Sequence, residues 1–308
     1  MSDRYRPLER AELSEFCAGL DDAETLQQRL ADNIDAGTVR PQWCWTAYDG
    51  ARPVARHHWW GPRGADSPLV FVPLDSTDLD AAVGLLRHAT DRLQVDEAWS
   101  EITLPVELDG DPWTVKATAV ALLEGGGFRF QVDRVRIEWR ADDGVPPVGD
   151  RLTFRPAADY DEADLVELFA RVADGSLDHS MHEGRETLSD VDEARKRLHF
   201  LQHYPGVDDN FVVGLDSAGA AVGYVAPGRA NTSGVIAEIG VAEAHRGNGY
   251  VHDLLAYGTR VLADAGLLRV VADTDCGNTP MRAAFTRAGY RVFARRWDWG
   301  WRRGITSD

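Results

Sequence analysis

The clearest chemistry in this sequence lies in six residues, Arg246-Gly247-Asn248-Gly249-Tyr250-Val251. They follow the β-rich run 235–241 and precede a helical pattern in which Val251, Leu254, Leu255, Gly258, Val261 and Leu262 share one face, with Gly266 as its stop. Glycines at 247 and 249 let the backbone come close to a ligand. The amides of residues 248 to 251, unpaired at a helix N-terminus, would donate to an anion that the helix dipole also favours. Arg246 would add a cation at the rim. Such a turn suits a diphosphate, whereas the dinucleotide fingerprint needs a third glycine where this chain has His252. A loop that merely turns the chain is the plainer reading of the same residues.

Composition narrows the alternatives. Of 33 basic residues only Lys116 and Lys196 are lysines, and neither follows a glycine, so no phosphate loop of the Gly-Lys-Ser/Thr type exists. The nucleophile elbow G-x-S-x-G and the zinc motif H-E-x-x-H are also missing. Fifty acidic residues give the chain a net charge of −17, which disfavours nucleic acid and anionic membranes and favours a cationic partner. Cys17, Cys44 and Cys276 form neither a disulfide framework nor a zinc site. No apolar run is long enough to span a membrane and the start lacks a hydrophobic signal region, so a cytoplasmic location is expected.

Around the loop, the elements repeat. Tyr5-Arg6-Pro7 and Phe154-Arg155-Pro156 each precede a helical stretch, the second with Leu165, Leu168, Phe169 and Val172 at helical spacing. Hairpins follow in both halves, at Trp43–Val54 and at Phe211–Val225. Each half then closes alike, Gly-Gly-Phe128 leading into Val135–Trp139 and Ala-Gly-Tyr290 leading into the strand with Trp297, Trp299 and Trp301. The Pro/Gly-rich stretch between the copies reads as a linker at 144–150, dividing a domain 1–143 from a domain 151–308.

After the loop come a strand 268–274 and a helix for which Thr279 is read as N-cap, Pro280 as first residue and Gly289 as C-terminal stop. Together these residues resemble the acyl-CoA-binding core of the GNAT superfamily of N-acetyltransferases. The fuller string, with Asp-Thr-Asp275, Asn278-Thr-Pro-Met281 and Ala-Gly-Tyr290, is similar to tandem GNAT proteins of actinobacterial type. The resemblance implies an α/β (α+β) fold of two tandem GNAT-like domains, each a mixed, mostly antiparallel sheet flanked by helices. It implies acetyl-CoA or another acyl-CoA as cosubstrate, its pyrophosphate on Arg246, Gly247, Asn248, Gly249, Tyr250 and Val251. The pantetheine arm would lie along Ile239, Gly240 and Val241, with Asn278, Met281 and Phe285 completing the cofactor contacts. Two positions depart from the pattern: Val251 replaces a Gly or Ala, and Phe285 stands where many relatives carry a tyrosine that protonates the thiolate. The first half has Val72–Asp78 where its own loop should be, and Asp75 and Asp78 would repel a diphosphate. One competent site is therefore expected, beside a degenerate copy.

Acyl transfer to an amine needs a base, and Glu238 on the strand leading to the loop is the preferred one. Side chains alternate along a strand, so without a bulge Glu238 would face away and pair with an arginine. With Phe285 unable to donate, Tyr250, Tyr290, water or the acceptor's own ammonium must protonate the thiolate. The loop Asp178-His179-Ser-Met-His182-Glu183 is the expected acceptor wall, read as a solvated loop rather than a metal site. The alternating tryptophans are first a packing feature and second an aromatic wall, which places Trp297 among the acceptor contacts. Cys276 has no recognisable histidine partner and is not taken as a nucleophile. The chain is thus expected to be a monomeric or homodimeric acyltransferase acting on a small amine, in specialised metabolism or resistance. A CoA-responsive regulatory protein, or transfer to a hydroxyl, peptide or carrier-bound group, is the alternative.

Overall fold

The computed structural model describes residues 4–182, 188–230 and 232–304. Two compact units make up the chain: 1–132 with 297–308, and 133–296. These divisions differ from the expected boundary at 144–150. The divisions fall inside two long strands, Arg129–Arg140 and Arg291–Arg302, and the linker stretch lies within the second unit. The physical reason is that the final strand's tryptophans pack elsewhere. Trp297 and Trp299 are buried in the hydrophobic core of the first unit, whereas Val135, Ile137 and Trp139 are buried in that of the second.

In the first unit the strands are β1 (Tyr5–Pro7), β2 (Cys44–Asp49), β3 (Arg52–Trp60), β4 (Val70–Ser76) and β5 (Glu97–Leu104), hydrogen-bonded in that order. Its helices are α1 (Leu13–Cys17), α2 (Ala23–Ala36), α3 (Leu79–Arg92), α4 (Pro112–Val115) and α5 (Ala117–Gly125). β6 (Arg129–Arg140) runs into the second unit, which continues with β7 (Thr153–Pro156), α6 (Glu162–Ala173), α7 (Asp190–Gln202), β8 (Val212–Leu215), β9 (Ala221–Ala230) and β10 (Ser233–Val241). α8 (Tyr250–Asp264), β11 (Arg269–Asp275), α9 (Thr279–Arg287) and β12 (Arg291–Arg302) complete the chain. The strand order in the second unit is β6-β11-β10-β9-β8-β7.

The two units repeat the same three layers. α3 and α5 cover one face of the first sheet through Leu85, Leu86 and Leu123, while Phe16, Leu26 and Leu30 of α1 and α2 cluster with Cys44 in a second core. In the second unit α6 and α7 pack Leu168, Phe169 and Leu198 against Tyr224 and Ala226, and α8 and α9 pack Leu254, Leu255 and Phe285 around Val225, Ile236 and Val270. Each unit has a parallel pair that lasts only two residues, β4 with β5 at Val70–Phe71 and β10 with β11 at Gly234–Val235. Beyond those residues the strands part. Each also has a one-residue bulge soon after the parallel pair, at Leu74 in β4 and Ala237 in β10. Among the described residues, no helix is long and apolar enough to cross a membrane.

His57 and His58 on β3 are buried, at 3% and 6% exposure, and His57 lies edge-on to Trp59 and Phe71. Burial pushes His57 down to about 3 and His58 to about 4, with neighbouring positive charge from His58 and Arg29 respectively as the smaller cause. Both rings are therefore neutral in the fold, while the unfolded chain binds protons near pH 6.5. Stability from this source is complete above pH 6.5 and is lost as the pH falls from there towards 4. The melting temperature should drop over that interval in a calorimetric pH series, and His57→Leu should flatten the drop.

Candidate functional site

The loop expected to hold an anion opens α8 with its donors exposed. Gly247 and Gly249 have φ of +81° and +76°, the left-handed region that favours glycine, and Gly249 is the N-cap of α8. No side chain caps this helix. At the matching place in the first unit Asp78 caps α3, its carboxylate accepting from the amide of Ala81 at 3.0 Å. That end is already occupied by the chain's own anion. Asp75, expected to repel a diphosphate, is instead neutralised by a two-bond pairing with Arg56.

Arg246, expected as a rim cation, is engaged by the chain itself. Its guanidinium donates to the carbonyls of Val241, Val172 and Asp174, at 3.1, 2.8 and 2.6 Å, and so ties the loop to the C-terminal end of α6. Arg151, which the sequence reading passed over, holds the loop from its other side by donating to Asn248 and Gly249 carbonyls while pairing with the buried Asp253. The Asn248 side chain folds back onto His245 and Arg246 carbonyls. His252 accepts from Arg287 at 2.6 Å, and burial together with Arg287 and Arg151 holds its pKa below the usual histidine value. Tyr250 is the first residue of α8, partly buried against the core.

The bulge decides which way β10 faces. Before it, Ile236 points to α8 and α9; after it, Ile239 and Val241 do, while Ala237 packs with the α6/α7 core. Gly240 lies under α6, where a β-carbon would stand 2.2 Å from Val172 Cγ1. The amide of Ala242 donates to Val222 of β9, and backbone groups alternate along a strand. Those of Val241 and Ile239 therefore point to the open edge, where β11 has parted from β10. The Val241 carbonyl is occupied by Arg246, which leaves the amide for an extended ligand.

The same bulge turns Glu238 to α7. It forms an ion pair with Arg197 at 2.9 Å and accepts a hydrogen bond from the Tyr224 hydroxyl, so the bulge and the arginine pairing occur together. Both partners are about seven-eighths buried, with side-chain exposures of 13% and 12%. Burial and Glu238 raise the Tyr224 hydroxyl well above its ordinary value, and it remains a donor. Arg197 also donates to the Ser180 carbonyl at 2.6 Å. Asp178 pairs with Arg134 and accepts from Ser180, and these neighbours lower its pKa although burial opposes them. Asp275, at the end of β11, accepts from the His179 amide at 2.6 Å and faces Arg134 at 3.3 Å; burial raises its carboxyl. The segment 178–182 is thus fastened at His179 to β11 and at Ser180, through Arg197, to the bulged strand. His182 donates from Nε2 to the Ser176 carbonyl at 2.7 Å. Glu183 lies outside the described residues.

Residues 151–291 match the family model described as "Acetyltransferase (GNAT) domain". These residues form a GNAT acetyltransferase domain. Its family uses an acyl-CoA as cosubstrate and transfers the acyl group to an acceptor, so residues 151–291 carry an acetyltransferase domain of GNAT type. Over 100% of the chain and 99% of theirs, the fold is similar to an N-acetyltransferase of this family from Sphaerobacter thermophilus, at 16% identity and a TM-score of 0.60. A tandem GNAT protein from the clavulanic acid biosynthesis pathway is similar over 98% of this chain and 99% of its own, at 16% identity and 0.53. The glucosamine N-acetyltransferase region of a fungal multi-domain β-N-acetylglucosaminidase is similar over 96% of this chain and 38% of that one, at 16% and 0.57. The full-length likeness gives the tandem GNAT fold. A comparison with curated protein sequences returns no match.

Within the GNAT domain several expected contacts take other places. Asn278, not Thr279, is the N-cap of α9: its Oδ1 accepts from the Met281 amide at 3.3 Å, leaving its amide group as the available donor. Met281 lies partly buried beside the α8/α9 core. Phe285 is 2% exposed and edge-on to Tyr290, so it belongs to the core and offers a cofactor no surface. Tyr290 is buried with its hydroxyl bonded to Thr259 at 2.7 Å, and burial raises its pKa, so it is no proton source for a thiolate. Trp297 lies outside the domain's compact unit, 2% exposed and stacked on Trp113, which removes it from the acceptor wall. Burial and Asp133 push the Cys276 thiol up to about 11, keeping it protonated. Among the described residues, no group of three or more His, Cys, Asp or Glu could hold a metal.

Arg197→Ala would leave Glu238 buried beside Tyr224 without its countercharge. A loss of about 3–5 kcal/mol is expected, read by urea denaturation, whereas a change within about 0.5 kcal/mol would show that solvent already screens the pair.

Proposed function

We propose that the second unit transfers an acetyl or other short acyl group from acyl-CoA to a small amine, by direct attack in a ternary complex in the cytoplasm. The observation that carries this reading is the contrast between two helix starts in one chain. α8 opens uncapped on two left-handed glycines, while Asp78 fills the corresponding end of α3. An anion stabilised by free amides and a helix dipole fits the first and not the second. The first unit is on this reading a duplicated scaffold that no longer binds the cofactor.

Residues 247–251 would hold the diphosphate through their backbone, with Arg151 and Arg287 nearby as cations. The arm would extend along the open edge of β10, meeting the backbone of Ile239 and Val241 and the amide group of Asn278. Three residues of strand span about 10 Å, so the acyl end would lie by the bulge, away from Tyr250 at the phosphate end. Tyr250 is on this account a wall of the diphosphate site and not the thiolate's proton donor. Glu238, already neutralised by Arg197, would position α7 and the acceptor loop. Among the described residues, the network of Asp178, Glu238 and Asp275 against Arg134 and Arg197 has three carboxylates to two guanidiniums, and this supports a cationic acceptor.

Thiol release from acetyl-CoA, assayed with cationic, neutral and anionic small amines, should be fastest with the cationic ones. Gly249→Glu should abolish acetyl-CoA binding in calorimetry while the far-ultraviolet circular dichroism stays unchanged. Retained affinity would remove the loop from the site; binding without thiol release from any amine would favour a CoA-responsive regulatory protein.

A further inference from the structure

The acceptor amine arrives as an ammonium ion and must lose a proton before it can attack. The carboxylates at this site are already engaged by the chain's own groups. Glu238 faces Arg197 from α7 and Tyr224 from β9, Asp178 faces Arg134 from β6, and Asp275 faces Arg134 and the His179 amide. His179 is turned inward, with its Nε2 buried.

His182 differs from all of these. Its Nε2 lies 2.7 Å from the Ser176 carbonyl oxygen, and a carbonyl only accepts, so Nε2 carries the hydrogen. In the neutral ring Nδ1 is then the lone-pair nitrogen, and the same bond fixes the ring's orientation, as a backbone carbonyl does for many working histidines. The ring is partly exposed. Its position follows from its neighbours: Ser180, two residues earlier, is held by Arg197 over the bulge of β10, and His179, three residues earlier, is held by Asp275 at the end of β11. His182 therefore belongs to a segment tied both to the end of β11 and to Arg197, the partner of Glu238.

We propose that His182 Nδ1 is the general base for the acceptor amine, an inference that rests on the acyl-transfer reading above. One ammonium proton passes to Nδ1, giving an imidazolium still bonded to Ser176. The amine nitrogen bonds the acyl carbonyl carbon, the carbon–sulfur bond breaks, and a second nitrogen proton goes to sulfur. The products are the amide and the free thiol, and the imidazolium returns its proton to water. This route needs no hydroxyl at position 285. Among the described residues, the charges of this region are Asp178 and the His179 ring in the loop of His182 itself, Asp174 at the end of α6, Arg197 on α7, Glu238 on β10, Asp275 on β11 and Arg134 on β6.

His182→Gln tests the assignment, because the glutamine amide can still donate to the Ser176 carbonyl but has no basic nitrogen. With acetyl-CoA and the best amine of the panel, kcat should fall by about 100-fold or more, KM for acetyl-CoA should stay, and the acidic limb of the pH–kcat profile should vanish. In Glu238→Gln that limb should persist. An acidic limb retained in His182→Gln, or lost only in Glu238→Gln, would overturn the proposal. Nitrogen-15 spectra of the ring at pH 8 give a readout that needs no turnover: the Nε2–H tautomer upholds the assignment and the Nδ1–H tautomer rejects it. Absence of thiol release with every amine would count against the acyl-transfer reading, and the tautomer would still decide the role of His182.

Discussion

One extra residue in β10 organises the second unit. Without the bulge at Ala237 the strand would keep a single parity, and Glu238 would share the face of Ile236 above α8 and α9. With it, a carboxylate turns to α7, where Arg197 and Tyr224 meet it, and the two residues that follow on odd positions line the edge from which β11 has parted. The ionic network is therefore a consequence of strand geometry. It forms where a buried carboxylate would otherwise be uncompensated, and its arginines continue outward to fix the segment 178–182.

The first unit shows what the fold retains when the chemistry of the loop is gone. β4 parts from β5 after two paired residues and carries a bulge, and Asp75, next after that bulge, is ion-paired to Arg56 as Glu238 is to Arg197. These features belong to the packing of a splayed sheet between two helical layers. What separates the units is local: an aspartate caps α3, a glycine opens α8. A carboxylate at an N-cap and an external anion compete for the same amides.

Two arginines fix the shape of the glycine loop, and neither bond could be foreseen from the loop itself. Arg246 reaches back to the end of α6, and Arg151 comes from the stretch before β7. A guanidinium has five donors in a fixed fork, so each closes several carbonyls at once. The loop is thereby preorganised with its amides outward, and the motif's own arginine takes part in that scaffold.

Local sequence determined what depends on near neighbours. The hairpins, the strand, glycine turn and helix of residues 233–264, the stop at Gly266 and the repeat of elements are all present as read, because periodicity, left-handed glycines and helix dipoles act over a few residues. Even there a cap shifted by one, from Thr279 to Asn278. Tertiary structure decided what depends on partners distant in the chain. It sent Trp297 to the first unit's core, placed Phe285 and Tyr290 inside the second, gave Glu238 to Arg197 and assigned the Ser176 carbonyl to His182. Buried polar and aromatic groups are stable only when their partners arrive with them. Which partners those are is set by the packing of whole elements, so no short stretch of this sequence contains the answer.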